Sequence, residues 1–79
     1  MKALYWVILR QDDFIKLAPV IFNAMAKDEQ SNSHTVIDTW DSGRWTLVAL
    51  GTTSDGIRNY ILKAAANGHI SIDERAKED

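Results

Sequence analysis

The sequence contains no cysteine, and that absence excludes several kinds of chemistry at once. Disulfide bonds, thiolate nucleophiles and cysteine-ligated zinc sites cannot form. A small domain without disulfides needs no oxidising compartment, so we expect a cytoplasmic protein. The sequence also lacks a run of about 20 apolar residues, the length needed to span a bilayer. Residues 1–9 lack the cleavage site of a signal peptide, and we therefore expect no membrane association.

The sequence has no large excess of charge of either sign, since nine basic and eleven acidic residues give a formal net charge of −2. Proteins that neutralise phosphates usually carry a basic stripe, whereas the lysines and arginines here are scattered singly. We therefore expect no nucleic-acid partner. The 79 residues and the 46% hydrophobic content predict a single globular domain over residues 1–79, with a frayed charged tail at 74–79.

The chain is richest in Val, Ile, Thr and Trp between residues 35 and 50, where a Gly-containing break predicts a β-hairpin. If Ser42 and Gly43 form a two-residue loop, Trp40 pairs with Trp45. One face then carries Thr35, Ile37, Thr39, Thr46, Val48 and Leu50. The opposite face carries Val36, Asp38, Trp40, Trp45, Leu47 and Ala49. A three-residue loop with a bulge would shift the pairing by one residue and scramble these two faces.

Two further elements are predicted before the hairpin. Residues 2–10 form an apolar run bounded by charges, which is typical of a strand buried on both faces. A helix is predicted from about residue 14 to 27, with Asp12 or Asp13 as its N-terminal cap. Pro19 either kinks this helix or lies in its first turn, if the regular part begins near Ala18. Its apolar stripe consists of Phe14, Leu17, Ala18, Ile21, Phe22 and Met25.

After the hairpin the pattern predicts a second helix and a short strand. Residues 52–55 offer several N-cap candidates, and Asn67-Gly68 is a helix stop. The helix stripe consists of Ile57, Tyr60, Ile61, Ala64 and Ala65. Residues 69–73 alternate polar and apolar, which is typical of a half-buried strand. The order predicts an α+β domain of ferredoxin-like βαββαβ type, a four-stranded antiparallel sheet with two helices on one face. If the last strand is missing, the domain is βαββα.

The alternation along the strands predicts which face of the sheet the helices leave uncovered. If the aliphatic residues face the helices, Trp6 joins Trp40 and Trp45 on the other side. That side would also carry Leu4, Ile8, Val36, Leu47 and Asp38. Because exposed apolar patches and tryptophan mark binding surfaces, we expect partner contacts through a set of five residues: Trp6, Asp38, Trp40, Trp45 and Leu47. Alternatively the tryptophans belong to the core, or Trp40 and Trp45 stack on a small aromatic ligand.

No constellation of residues indicates catalysis. The two histidines, His34 and His69, lack tight ligand spacing, so no metal site is expected. His69, Ser71 and Asp73 are catalytic-triad types, but alternate strand positions lie about 6.5–7 Å apart, too far for a nucleophile and its base. Residues 51–56 lack the lysine of a phosphate-binding loop, which favours a capped helix start. We expect no catalytic residue and no cofactor.

These observations favour a non-enzymatic protein–protein interaction module, such as a small regulator or inhibitor of the phage or mobile-element type. It would bind a partner protein or a second copy of itself through the tryptophan-rich sheet face. The alternative is a small-molecule-binding or minor enzymatic homodimer, in which the paired sheets enclose a pocket lined by Trp6, Trp40 and Trp45.

Overall fold

A computed structural model describes residues 4–28, 33–41, 43 and 46–75. The chain forms an α+β domain in which two helices accompany an antiparallel sheet, as the sequence predicts. The elements in chain order are β1 (Tyr5–Arg10), α1 (Gln11–Asp28), β2 (Thr35–Asp41), β3 (Thr46–Thr52), α2 (Asp55–Ala66) and β4 (Asp73–Arg75).

Three strands of six or seven residues form the body of the sheet. β3 pairs with β2 on one side and with β1 on the other, both antiparallel. β4 adds only three residues, which pair antiparallel with the free side of β1, so the spatial order is β2-β3-β1-β4.

The last strand, β4, begins at Asp73, the residue at which the predicted strand ends. The predicted strand at 69–73 is wrong, because residues 69–72 are not in a strand and β4 starts at Asp73. The backbone N–H of Ser71 donates to Asp13 Oδ2 at 3.2 Å, so this stretch bonds to α1 before the chain reaches β1. Glu74 and Arg75, predicted within a frayed tail, form the rest of β4. The remainder of that tail, 76–79, lies outside the described residues, as do residues 1–3.

One hydrophobic core lies between the helices and one face of the sheet. The core contains Val7, Leu9 and Leu50 from the sheet, Leu17 and Ile21 from α1, Ile57, Ile61 and Ala64 from α2, and Ile70 from the loop after α2. Because residues from both helices join the same cluster, both helices pack on this face. The predicted stripe of α2 is confirmed in full, with Tyr60 and Ala65 packing at its margin. Ile72 also packs against the cluster, although it is not in a strand.

Helix α1 begins at Gln11, directly after β1, and runs continuously past Pro19. Of the two alternatives for Pro19, the start of the regular helix near Ala18 is therefore wrong. Asp12 and Asp13 lie inside the first turn instead of capping it, where their charge still favours the positive end of the helix. Pro19 cannot donate to the carbonyl of Ile15, but both residues are exposed, so water can satisfy that carbonyl.

Helix α2 has defined caps at both ends. The Ser54 side chain accepts a hydrogen bond from the Ile57 N–H at 3.2 Å, so Ser54 is the N-cap among the four candidates. At the other end the Gly68 N–H donates to the Ala65 carbonyl and the His69 N–H to the Ala64 carbonyl. Gly68 has a φ of +79°, the left-handed conformation that this type of helix end requires.

The hairpin has a longer connection than the sequence predicts. The paired residues closest to the tip are Asp41 and Thr46, and Trp40 lies opposite Leu47 instead of Trp45. The two-residue loop and its register are therefore wrong, since residues 42–45 connect the strands. The pairing is displaced by two residues, and two is the period of a strand, so the predicted division of side chains between the faces is unchanged.

Candidate interaction face

The side of the sheet away from the helices is called the open face here. Strand register arranges its residues in rows that run across the strands. The first row is Val36, Gly51, Trp6 and the backbone position of Arg75. The second is Asp38, Ala49, Ile8 and Asp73. The third is Trp40, Leu47 and Arg10. Most of the apolar residues lie in the middle of this array, and the charged positions lie toward its sides and one end.

Trp6 lies flat across the neighbouring strand. Gly51 is its partner on β3, and a Cβ atom built on Gly51 would be 2.8 Å from three atoms of the Trp6 indole ring, Cδ2, Cε2 and Cζ2. The ring therefore occupies the volume that any larger residue at position 51 would need. This packing leaves Trp6 half-buried and Gly51 buried. Trp6 therefore packs against β3 as well as forming part of the surface of the open face.

Trp40 is the most exposed of the described tryptophans. It lies on β2, an edge strand of the sheet, and 41% of its surface remains accessible. Val36 lies on the same strand and the same face, and it is also exposed. Leu47, opposite Trp40, is half-buried. Trp40 and Leu47 thus form a paired apolar position on the β2 side of the open face, and Val36 adds a separate apolar side chain four residues away on the same strand.

Asp38 brings a carboxylate onto this face between two apolar neighbours of the same strand. It is exposed and lies opposite Ala49, whose small side chain does not cover it. Arg10 lies on the same face at the end of β1, and Asp73 lies on it at the start of β4. The open face therefore carries both signs of charge around an apolar centre, which is the usual anatomy of an interface.

Of the five predicted contact residues, the structure brings four onto this one face: Trp6, Asp38, Trp40 and Leu47. The fifth, Trp45, lies outside the described residues, as do Ser42 and Arg44. None of the four belongs to the core between sheet and helices. The interpretation of Trp6 and Trp40 as members of that core is therefore wrong.

A second apolar surface lies on α1 and is absent from the sequence-based predictions. Ile15 is 60% exposed and Phe22, predicted in the core stripe, is 51% exposed. The Phe22 ring instead packs edge-on against Phe14, with ring centroids 6.0 Å apart. Ile15, Pro19 and Phe22 recur at intervals of four and three residues, so a helical projection could have revealed this second stripe. Val20 is also exposed but lies on another side of the helix.

The residues considered for chemistry take structural positions instead. His34 and His69 are exposed, and the backbone N–H of His34 donates to Thr53 Oγ1 at 2.8 Å. Within the described part of the chain, no three His, Asp or Glu side chains gather where a metal ion could be held. His69 and Ser71 precede β4 and bond through their backbones to Lys16 and Asp13.

Hydrogen bonds of threonine and serine hydroxyl groups stabilise the turn between β3 and α2. The Thr52 hydroxyl lies 2.7 Å from that of Thr35 and accepts from the Ser54 N–H at 3.0 Å. Together with the Ser54 cap, these contacts satisfy donors that a bound phosphate would otherwise use, which supports the capped helix start over the phosphate cradle.

Neither α1 nor α2 is both long enough and apolar enough to cross a membrane, which is the result for the described residues. Comparison of the chain with protein-family models, with curated proteins and with solved structures gives no match.

Proposed function

We propose that this chain is a non-enzymatic interaction module that binds a second copy of itself through the open face. The observation that carries the proposal is the exposed Trp40 side chain, which lies opposite Leu47 on the face away from the packed helices. Tryptophan is enriched among the residues that dominate interface energies. Covering an exposed indole ring removes apolar surface from water and so favours association.

A second copy is favoured over a foreign partner by the charges of this face. Asp38 and Arg10 lie at different positions on the same surface, so a two-fold rotation can bring opposite charges toward each other. A surface that served a strongly acidic or basic partner would carry one sign. The net charge of −2 also leaves little long-range repulsion between two copies.

The size of the open face sets the expected strength of the dimer. Strands about 4.8 Å apart and about 3.4 Å long per residue give this sheet a footprint of roughly 400 Å². Stable interfaces bury about 800 Å² of accessible surface on each partner. We therefore expect a dissociation constant in the micromolar range or weaker, which makes the dimer dependent on concentration.

We also propose that the chain has the ferredoxin-like split βαβ architecture with a short fourth strand, a proposal that the strand order β2-β3-β1-β4 supports. The architecture does not imply the function. A cytoplasmic location agrees with the absence of cysteine.

The test is analytical ultracentrifugation of the intact chain from about 10 μM to about 1 mM, a range chosen to bracket the expected affinity. The wild type should pass from monomer to dimer. Trp40→Thr keeps a good strand former on β2 and should weaken the dimer roughly tenfold, the effect of losing about 1–2 kcal/mol at an aromatic contact.

Ile15→Gln is the matched control, because Ile15 is an exposed apolar residue on the outer surface of α1. It should leave the dimer unchanged. A chain that stays monomeric over the whole range would overturn self-association. A dimer that Ile15→Gln disrupts and Trp40→Thr leaves intact would place the contact on α1 and equally overturn the proposal.

A further inference from the structure

A groove lies between α1 and α2, on the helix side of the molecule and therefore away from the open face. Its cavity volume is about 700 Å³, which falls within the range of roughly 300–1,000 Å³ found for small-molecule sites. Leu17 of α1 and Ala64 of α2 are buried and form apolar parts of its wall. Tyr60 of α2 is half-buried and adds an aromatic ring.

Two of the polar side chains in the groove are hydrogen-bond donors that carry positive charge. Lys16 of α1 and Lys63 of α2 line it from opposite helices, with Asn67 and His69 beyond the end of α2. Among the residues that the structure describes, no aspartate or glutamate lines this cavity. Two ammonium groups beside an apolar wall favour a ligand that combines a negative charge with an apolar body.

Lys16 is held in place by its neighbours. Its Nζ atom donates to the His69 carbonyl at 3.3 Å and lies 3.4 Å from Asp13 Oδ1. Asp13 is itself fixed, because its other carboxylate oxygen accepts the Ser71 N–H. Asp13 offsets part of the charge of Lys16. Lys63, which makes no ion pair with a described residue, is thus the principal cation of the groove.

The C-terminal end of α2 would by itself disfavour an anion, because helix carbonyls carry partial negative charge there. In this chain the carbonyls of Lys63, Ala64 and Ala65 each accept a backbone N–H, from Asn67, His69 and Gly68 respectively. These hydrogen bonds satisfy the three carbonyls, which reduces the partial negative charge that they present to the groove.

We propose that the groove between α1 and α2 binds a small organic anion, an aryl or alkyl phosphate or carboxylate. The apolar body packs against Leu17, Ala64 and Tyr60, and the charged group lies between Lys16 and Lys63. This site is separate from the open face and does not depend on self-association.

The test is a titration followed by two-dimensional NMR of the intact chain, with phenyl phosphate and benzoate as the two anionic probes. Inorganic phosphate and benzyl alcohol supply the charge and the apolar body alone. We expect saturable binding of one or both aromatic anions at millimolar concentration or below, with shifts centred on Leu17, Ala64 and Asn67. The tighter of the two identifies the preferred headgroup. Inorganic phosphate and benzyl alcohol should each bind at least tenfold more weakly.

Lys63→Gln removes the principal cation at an exposed position and exchanges residues of similar helix propensity. It should weaken binding about tenfold, the loss expected for one charge-assisted contact, and Lys63→Arg should retain binding. Lys27→Gln makes the same change of charge on α1 outside the groove, and should alter binding less than twofold.

Three results would overturn the proposal. The first is an equal loss of binding in Lys63→Gln and Lys27→Gln, which would mean that only net charge matters. The second is a set of shifts centred on the open face. The third is the absence of saturable binding by either aromatic anion.

Discussion

Replacing Gly51 by alanine should destabilise the fold through a single contact with the Trp6 ring. The added Cβ would lie 2.8 Å from three ring atoms, whereas carbon atoms in favourable contact are about 3.5–4.0 Å apart. The ring, or β3 beneath it, must therefore move by roughly 0.7 Å or more. Position 51 is not among the glycines with positive φ, so the backbone itself accepts alanine.

The expected net loss in the free energy of unfolding is about 1 kcal/mol. Overpacking of a well-filled site costs about 1–3 kcal/mol. Alanine recovers about 0.5–1 kcal/mol of that, because it loses less backbone entropy on folding than glycine does. For a domain of this size the net effect lowers the melting temperature by roughly 4–8 °C per kcal/mol.

The assay is urea denaturation of four chains: the wild type, Gly51→Ala, Trp6→Val and the double variant. Valine is a good strand former and has no ring over position 51. In the Trp6→Val background, Gly51→Ala should become neutral or stabilising, so the sign of its effect should reverse. Gly56→Ala is the control, since its nearest neighbour, Ser54 Oγ, is at an ordinary 3.7 Å. In helix α2 it should stabilise by up to about 1 kcal/mol.

Two outcomes would refute this reasoning. If Gly51→Ala is as stable as the wild type, the ring moves aside without cost. If the loss is the same with valine at position 6, the glycine is required for a reason unrelated to the indole ring.

Two further predictions concern the helices. Ser54→Ala should lose about 1 kcal/mol of stability, because the Ile57 N–H loses its acceptor; Ser54→Asp, which can still cap, should lose much less in the same denaturation assay. Ile61→Val should cost about 0.5–1.5 kcal/mol at a fully buried position, while Ile15→Val should change stability by less than about 0.5 kcal/mol. Equal losses of stability from the two isoleucine substitutions would contradict the assignment of Ile15 to the exposed outer surface of α1.

Much of the open face could be predicted because strand side chains alternate with a period of two. The sequence-based register paired Trp40 with Trp45, whereas the structure pairs Trp40 with Leu47. The error is two residues, so Asp38 and Trp40 kept their predicted face. The length of the connection could not be predicted, since a Ser-Gly pair is compatible with several hairpin loops.

The errors on α1 and β4 both arise because tertiary contacts decide what the local pattern leaves open. The spacing of Phe22 fits the core stripe, but the helix offers more apolar residues than the sheet can cover, and Phe22 is left packing against Phe14. Ile70 and Ile72 alternate like strand residues and do pack at the core. Whether their backbone joins the sheet depends on competing hydrogen bonds, such as that from Ser71 to Asp13.

The sequence alone determined the α+β class, the presence of both helices, the side-chain faces of the first three strands and the end of α2 at Asn67-Gly68, because these follow from local periodicity and from the residue types of helix ends. The tertiary structure decided the hairpin register, the position of β4 and which apolar residues of α1 stay exposed. It also brought Lys16 and Lys63 to one groove and placed Trp6 over Gly51. Apart from the hairpin register, these outcomes depend on residues far apart in the chain that come to share the same space or the same hydrogen bond, which no local pattern records.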